Sequence, residues 1–215
     1  YIKVLSIKPN NVDAYNDLGI IRASLGEFNQ ALELFKKALV LKPDFADVYN
    51  NIGNINVEQG MFTEALEMFR KSLTINPRQY DALNNISNIY QVQGHLKDAI
   101  DASNKALTIK PDYEFVRAKK LYQQAQLCDW EGISNDVNFI PLLGINKQSV
   151  SPFDLLSLED APERHKKRSE VFFKDKFFQT PLDPDLKPKK NSKIIRIGYF
   201  SADFKEHVVS RLIAN

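Results

Sequence analysis

Asparagines recur in this chain at a fixed interval. Asn50, Asn51 and Asn54 return 34 residues later as Asn84, Asn85 and Asn88, and Asp17 stands one interval before Asn51. A side-chain amide carries both donors and an acceptor on one short stem. A row of amides can therefore pair with the backbone of an extended polypeptide while ignoring its side chains. Asparagine is a poor helix former, so its repeated use in helical sequence points to a binding row. The plainer reading is a solvated helix face. Asp17, Asn51, Asn54, Asn85 and Asn88 are the candidate peptide-binding residues. The titratable groups His95, His165, His207 and Cys128 are too scattered to form a metal site. A histidine near neutral pH can act as a base or donate to a phosphate. Spacing alone raises none of the three above an ordinary surface residue.

The interval belongs to the elements that must carry the row. Prolines fall at 9, 43, 77 and 111, glycines at 26, 60 and 94, and alanines at 31, 65 and 99. Phe28, Phe62 and Leu96 keep the same step. Such punctuation resembles the tetratricopeptide repeat, two helices joined by a tight turn. Gly26 ends the first helix, where a left-handed backbone costs glycine nothing. Gly19 is small so that the second helix can approach. Ala31 and Ala38 mark the crossing, and Leu34, Phe35 and Leu39 fill the core at helical spacing. Pro43 stops the second helix. Ile52, Gly53, Gly60, Ala65 and Phe69 repeat the pattern, followed by Ile86, Ser87, Gly94 and Ala99. One hairpin cannot bury its apolar face, so the units must stack. The expected units are 12–45, 46–79 and 80–113. Their first helices would line the groove of a superhelix.

The period is expected to fail after Pro111. A capping helix is expected over 114–127, with Phe115, Ala118, Leu121, Tyr122 and Ala125 on one stripe, closing a repeat region of 1–127. Asp129 reads as the N-cap of a further helix to about Leu143. Leu155, Leu156 and Leu158 precede a helix with Pro162 and Glu163 in its first turn. The basic run His165, Lys166, Lys167, Arg168 reads as a solvated face rather than a phosphate site. Residues 128–193 form a helical connector and linker, broken by Pro181, Pro184 and Pro188 and solvated by Lys187, Lys189, Lys190 and Lys193. Ile194, Ile195, Ile197, Tyr199 and Phe200 then read as a buried parallel strand. With the turn at Ser201–Asp203 and a helix from His207, 194–215 would be the first step of an α/β domain. The fold class is mostly α, with one strand-helix unit at the end.

Composition narrows the partners. With 215 residues, 43% of them hydrophobic, the chain can build a sizeable core. A net charge of +2 gives no global case for nucleic acid or an anionic membrane. The one cysteine excludes an internal disulfide and fits a reducing, cytoplasmic compartment. The chain starts and stops inside apolar patterns, so a fragment is expected, with further repeats upstream. Oligomeric state is not readable.

The whole order carries a more specific resemblance. Repeats, then Cys128-Asp129-Trp130, then a connector, then Arg196 to Phe204 (RIGYFSADF) and His207 resemble the O-linked N-acetylglucosamine transferase family, which includes SPINDLY-type proteins. The repeats alone are unspecific; the segment from Arg196 to His207 is far more so. The resemblance implies transfer of a sugar from a nucleotide sugar to Ser or Thr of proteins. UDP-N-acetylglucosamine would be the donor, or GDP-fucose as in SPINDLY-type members. It implies a two-lobed Rossmann-like catalytic region and protein substrates held by an asparagine ladder that includes Asn51 and Asn85. His207 matches the family's active-site histidine. Val208 and Arg211 stand where the family carries proline and a second histidine. The donor pocket lies beyond Asn215, so residues 1–215 are expected to bind no donor and to be inactive alone. The alternative is a non-catalytic tetratricopeptide adaptor.

Overall fold

The computed structural model describes residues 8–145 and 148–177. Six helices form three hairpins: α1 (Val12–Ser24) with α2 (Phe28–Leu41), α3 (Ala46–Glu58) with α4 (Phe62–Ile75), and α5 (Tyr80–Val92) with α6 (Leu96–Ile109). The helix α7 (Glu114–Gln126) follows and packs on α6. Among the described residues there are no strands. The linker after 178, the strand at Ile194–Phe200 and His207 lie outside the described residues, as do Tyr1–Ile7.

Each turn is built the same way. Gly26, Gly60 and Gly94 have φ of 76°, 74° and 77°. In the first turn, the N–H of Gly26 donates to Ala23 O and that of Glu27 to Arg22 O, both at 2.9 Å. The last carbonyls of α1 are thus satisfied by a left-handed cap. Pro43, Pro77 and Pro111 follow the second helices, which they cannot continue. Between the hairpins the core is continuous in type. Ala31, Phe35, Ala38, Val48 and Ile55 form one cluster. Ala65, Phe69, Ala82, Ile86 and Ile89 belong to the next. Small residues where helices cross let the large ones interdigitate.

The period does not fail at Pro111. Cys128 lies 34 residues after Gly94 and takes the glycine's conformation, with φ 53°. The N–H of Cys128 donates to Ala125 O at 3.1 Å and that of Asp129 to Gln124 O at 2.9 Å, the same cap as in the earlier turns. Trp130 continues the series Phe28, Phe62, Leu96. The motif Cys-Asp-Trp is therefore the turn of a fourth hairpin. Asp129 caps the next helix as expected, accepting from Gly132 N at 2.9 Å. That helix, α8 (Trp130–Ser134), stops after five residues and does not reach Leu143. A 3₁₀ segment, Val137–Leu142, replaces it, with Pro141 inside. The reason is steric and electrostatic. Leu121 and Ile133 stand where the earlier hairpins have Gly19 and Ala31, so the second helix cannot settle onto the first. Asp136 instead turns inward to Arg117 and to Lys120, whose Nζ lies 2.5 Å from Oδ2.

The connector then folds over this broken hairpin. A second 3₁₀ segment (Pro152–Leu155) leads to α9 (Pro162–Phe177), which starts with Pro162 and Glu163 as expected. Ala118, Leu121, Ile133, Ile140, Leu143, Val150 and Leu155 make one buried cluster. Arg168 corrects the solvated reading of the basic run: it is 0% exposed. Its Nε donates to Leu143 O at 2.9 Å and its Nη2 to Ile140 O at 2.6 Å. It also pairs with Glu159. The guanidinium thus satisfies carbonyls that the 3₁₀ segment leaves open. Burial pushes the Glu159 carboxyl up, but hydrogen bonds from Arg164 and Arg168 more than offset this and hold it below the usual range. Lys166 and Lys167 are exposed, as expected.

Candidate peptide-binding groove

The first helices of the units, α1, α3, α5 and α7, lie side by side and are stitched by side chains. Asn51 Nδ2 donates to Asn16 Oδ1 at 2.9 Å, from α3 to α1. One unit on, Asn85 Nδ2 donates to Asn50 Oδ1 at 3.3 Å and to Asn54 Oδ1 at 2.8 Å. From α7, Lys119 Nζ donates to Asn88 Oδ1. The rungs have a constant register, reaching back 35 residues in the first two cases and 31 in the others. This is hydrogen-bonded order rather than a loose polar face.

The expected residues divide accordingly. Asn54 and Asn85 meet each other, and Asn51 and Asn88 are joined to residues that the sequence reading passed over. Asn16 and Asn50 are the buried acceptors, each 8% exposed. Lys119 lies one interval after Asn85 and was legible as the end of the series Asp17, Asn51, Asn85, had the period been extended. Asp17 makes no hydrogen bond among the described residues. His95 caps nothing with its side chain and lies near Tyr90, ring centroids 6.3 Å apart. The ring of His165 meets Glu159 O at 3.0 Å, a structural contact.

The rungs decide what the row can offer. Asn51 and Asn85 spend N–H groups on their neighbours, leaving Oδ1 without a partner. Asn54 and Asn88 spend Oδ1, leaving Nδ2. Acceptors and donors therefore alternate along one face, the complement of a polypeptide's alternating N–H and C=O. At the end of the row Lys119 Nζ donates to Asn88 Oδ1 and does not reach the next amide oxygen. Asn84 Oδ1, the counterpart of Asn16 Oδ1 and Asn50 Oδ1, is buried without a hydrogen bond. Burial holds the Lys119 ammonium below the usual lysine range, while the Asp154 carboxylate pulls the other way.

Between the first two hairpins the face opens into a cavity of about 500 Å³, whose walls include Ile20, Phe28, Asn51, Asn54 and Ile55. Residues 20–60 match the family described as TPR repeat, and residues 46–79 and 80–113 each match the one described as Tetratricopeptide repeat. These hairpins are tetratricopeptide repeats. Among solved structures, YrrB, described as a TPR protein with an unusual peptide-binding site, is 18% identical at a TM-score of 0.53, over 81% of this chain and 91% of its own. The crystal structure of MamA is 23% identical at 0.50, over 81% and 86%. An O-GlcNAc transferase mutant of Thermobaculum terrenum is 18% identical at 0.49, over 53% of this chain and 22% of that one. The first two likenesses concern the fold, and the third, at its score, carries no argument. No curated protein matches. Among the described residues no helix is long and apolar enough to cross a membrane.

Proposed function

We propose that the tetratricopeptide face of α1, α3, α5 and α7 holds an extended polypeptide by its backbone. The alternation of free acceptors at Asn51 and Asn85 with free donors at Asn54 and Asn88 carries this reading. The peptide-binding site in YrrB's description supports it by analogy of fold. Replacing Asn51 and Asn85 together by Ala should weaken peptide binding roughly 30-fold, at about 1 kcal/mol per lost hydrogen bond. Helical content by circular dichroism should stay unchanged. Undiminished affinity for a bound peptide would sink the reading.

We further propose that the groove is the substrate-selecting arm of a protein O-glycosyltransferase. The segment Arg196–Phe204 with His207 supports this, and it lies outside the described residues. UDP-N-acetylglucosamine or GDP-fucose would be the donor, and His207 would stand near donor and acceptor. A non-catalytic adaptor accounts for the groove equally well. Sugar transfer by the full-length gene product, assayed with UDP- and GDP-sugars, separates the two. Residues 1–215 alone should neither transfer sugar nor bind donor.

A further inference from the structure

We propose that the cavity between the first two hairpins is a side-chain pocket selecting a bulky apolar residue in the extended segment held by the amide row. This rests on the peptide-binding reading of the groove. Amides that grip a backbone are blind to side chains, so any selectivity must arise beside them. The cavity is in the right place. Asn51 and Asn54 form part of its wall, alongside Ile20, Ala23, Phe28 and Ile55. A residue whose backbone meets those two amides lies at its mouth. In an extended chain successive side chains alternate in direction, so one enters the cavity and its neighbours stay outside.

Two substitutions in the repeat make the cavity and set its character. Ile20 holds the register position of Asn54 and Asn88, which turns one rung from amide to hydrocarbon. It is 44% exposed, an apolar surface left open in the groove. Ala23 stands where the next units carry Val57 and Gln91, and its smaller side chain leaves space. The volume of about 500 Å³ accommodates a side chain of Leu, Met or Phe. Glu58 at the wall disfavours an acidic one.

The test uses residues 1–215 and fluorescein-labelled Ser/Thr host peptides in which a single position, scanned along the peptide, is Ala, Leu, Phe or Glu. Fluorescence anisotropy should show Leu and Phe peptides binding ~10-fold or more tighter than Ala peptides, as burial of one large apolar side chain implies. Ile20→Asn and Ala23→Leu should each shrink the ratio of Leu-peptide to Ala-peptide affinity below roughly threefold. Ile20→Asn introduces a residue type already tolerated in this register, so it keeps the test decisive even where Ala23→Leu perturbs folding. Equal binding of Ala and Leu peptides, or a preference that survives both variants, would overturn the pocket alone. Failure of every host peptide to bind, or binding indifferent to Asn51→Ala with Asn85→Ala, would overturn the groove reading as well.

Discussion

Gly53 on α3 lies so close to Phe69 on α4 that a methyl group at 53 would stand 2.5 Å from the ring's Cε1. Gly19 and Phe35 repeat the relationship in the first hairpin. In the third, both members change together: Ser87 and Ser103 occupy the two positions and hydrogen bond at 2.8 Å. Gln123 from α7 donates to Ser87 as well, at 3.4 Å. The helix crossing is therefore a coupled pair, either hole and ring or hydroxyl and hydroxyl.

Coupling predicts non-additivity. Gly53→Ser should cost roughly 1–3 kcal/mol by overpacking, and Phe69→Ser about 3–5 kcal/mol by opening a cavity. Gly53→Ser combined with Phe69→Ser should be more stable than the two changes summed, by at least ~1 kcal/mol. Chemical denaturation of the four species closes the cycle. A sum that holds within error would mean the serine pair is incidental.

Lys119 ends the amide row at the expense of Asn84 Oδ1. Lys119→Asn should let an amide reach that oxygen, as Asn51 and Asn85 do for theirs, and stabilise the fold by about 1 kcal/mol. The sign with pH follows from the lowered lysine. Its charged form is disfavoured in the fold. That cost is present below the folded value and disappears as pH rises through it towards the ordinary lysine value. The variant's advantage should be largest near neutrality and shrink in alkali. Thermal melts across that range would refute the argument if the advantage grew instead.

Arg168 and its neighbours on α9 should respond in opposite ways. Arg168→Met leaves Arg164 on Glu159 Oε2 but removes the donor to Glu159 Oε1 and to the carbonyls of Ile140 and Leu143, and should cost about 3 kcal/mol. Lys166→Ala and Lys167→Ala should each stay within ~0.5 kcal/mol. Amide hydrogen exchange should show the loss first in Val137–Leu142. Equal tolerance at all three positions would return the basic run to its solvated reading.

Tyr113 reports the seam between α5 and α7. Burial, then the charge of Asp81, pushes its phenol up to about 12. Since the folded value lies above the unfolded one, the neutral phenol's contribution to stability is full below the ordinary tyrosine range and is lost as pH climbs through the folded value. Ultraviolet titration of phenolate, with Tyr113→Phe as the reference, should show this late ionisation. Asp81→Asn should bring it earlier. A late wave that survives Tyr113→Phe would assign the shift elsewhere.

The interval of 34 residues determined the repeat region by itself. Helix, left-handed glycine turn, helix and proline are local chemistry, so their spacing specifies units at 12–45, 46–79 and 80–113 without any distant contact. The types in the binding row, Asn51, Asn54, Asn85 and Asn88, were legible for the same reason. Tertiary structure decided what depends on partners far along the chain. It made Cys128 and Trp130 the turn of a fourth hairpin and then broke that hairpin, because Leu121 and Ile133 are too large for the crossing. It buried Arg168, because carbonyls 25 and 28 residues away needed donors. It also fixed which end of each asparagine amide is spent between repeats and which is left for a ligand. Spacing supplies a row of amides, but only the packing of neighbouring helices sets their polarity.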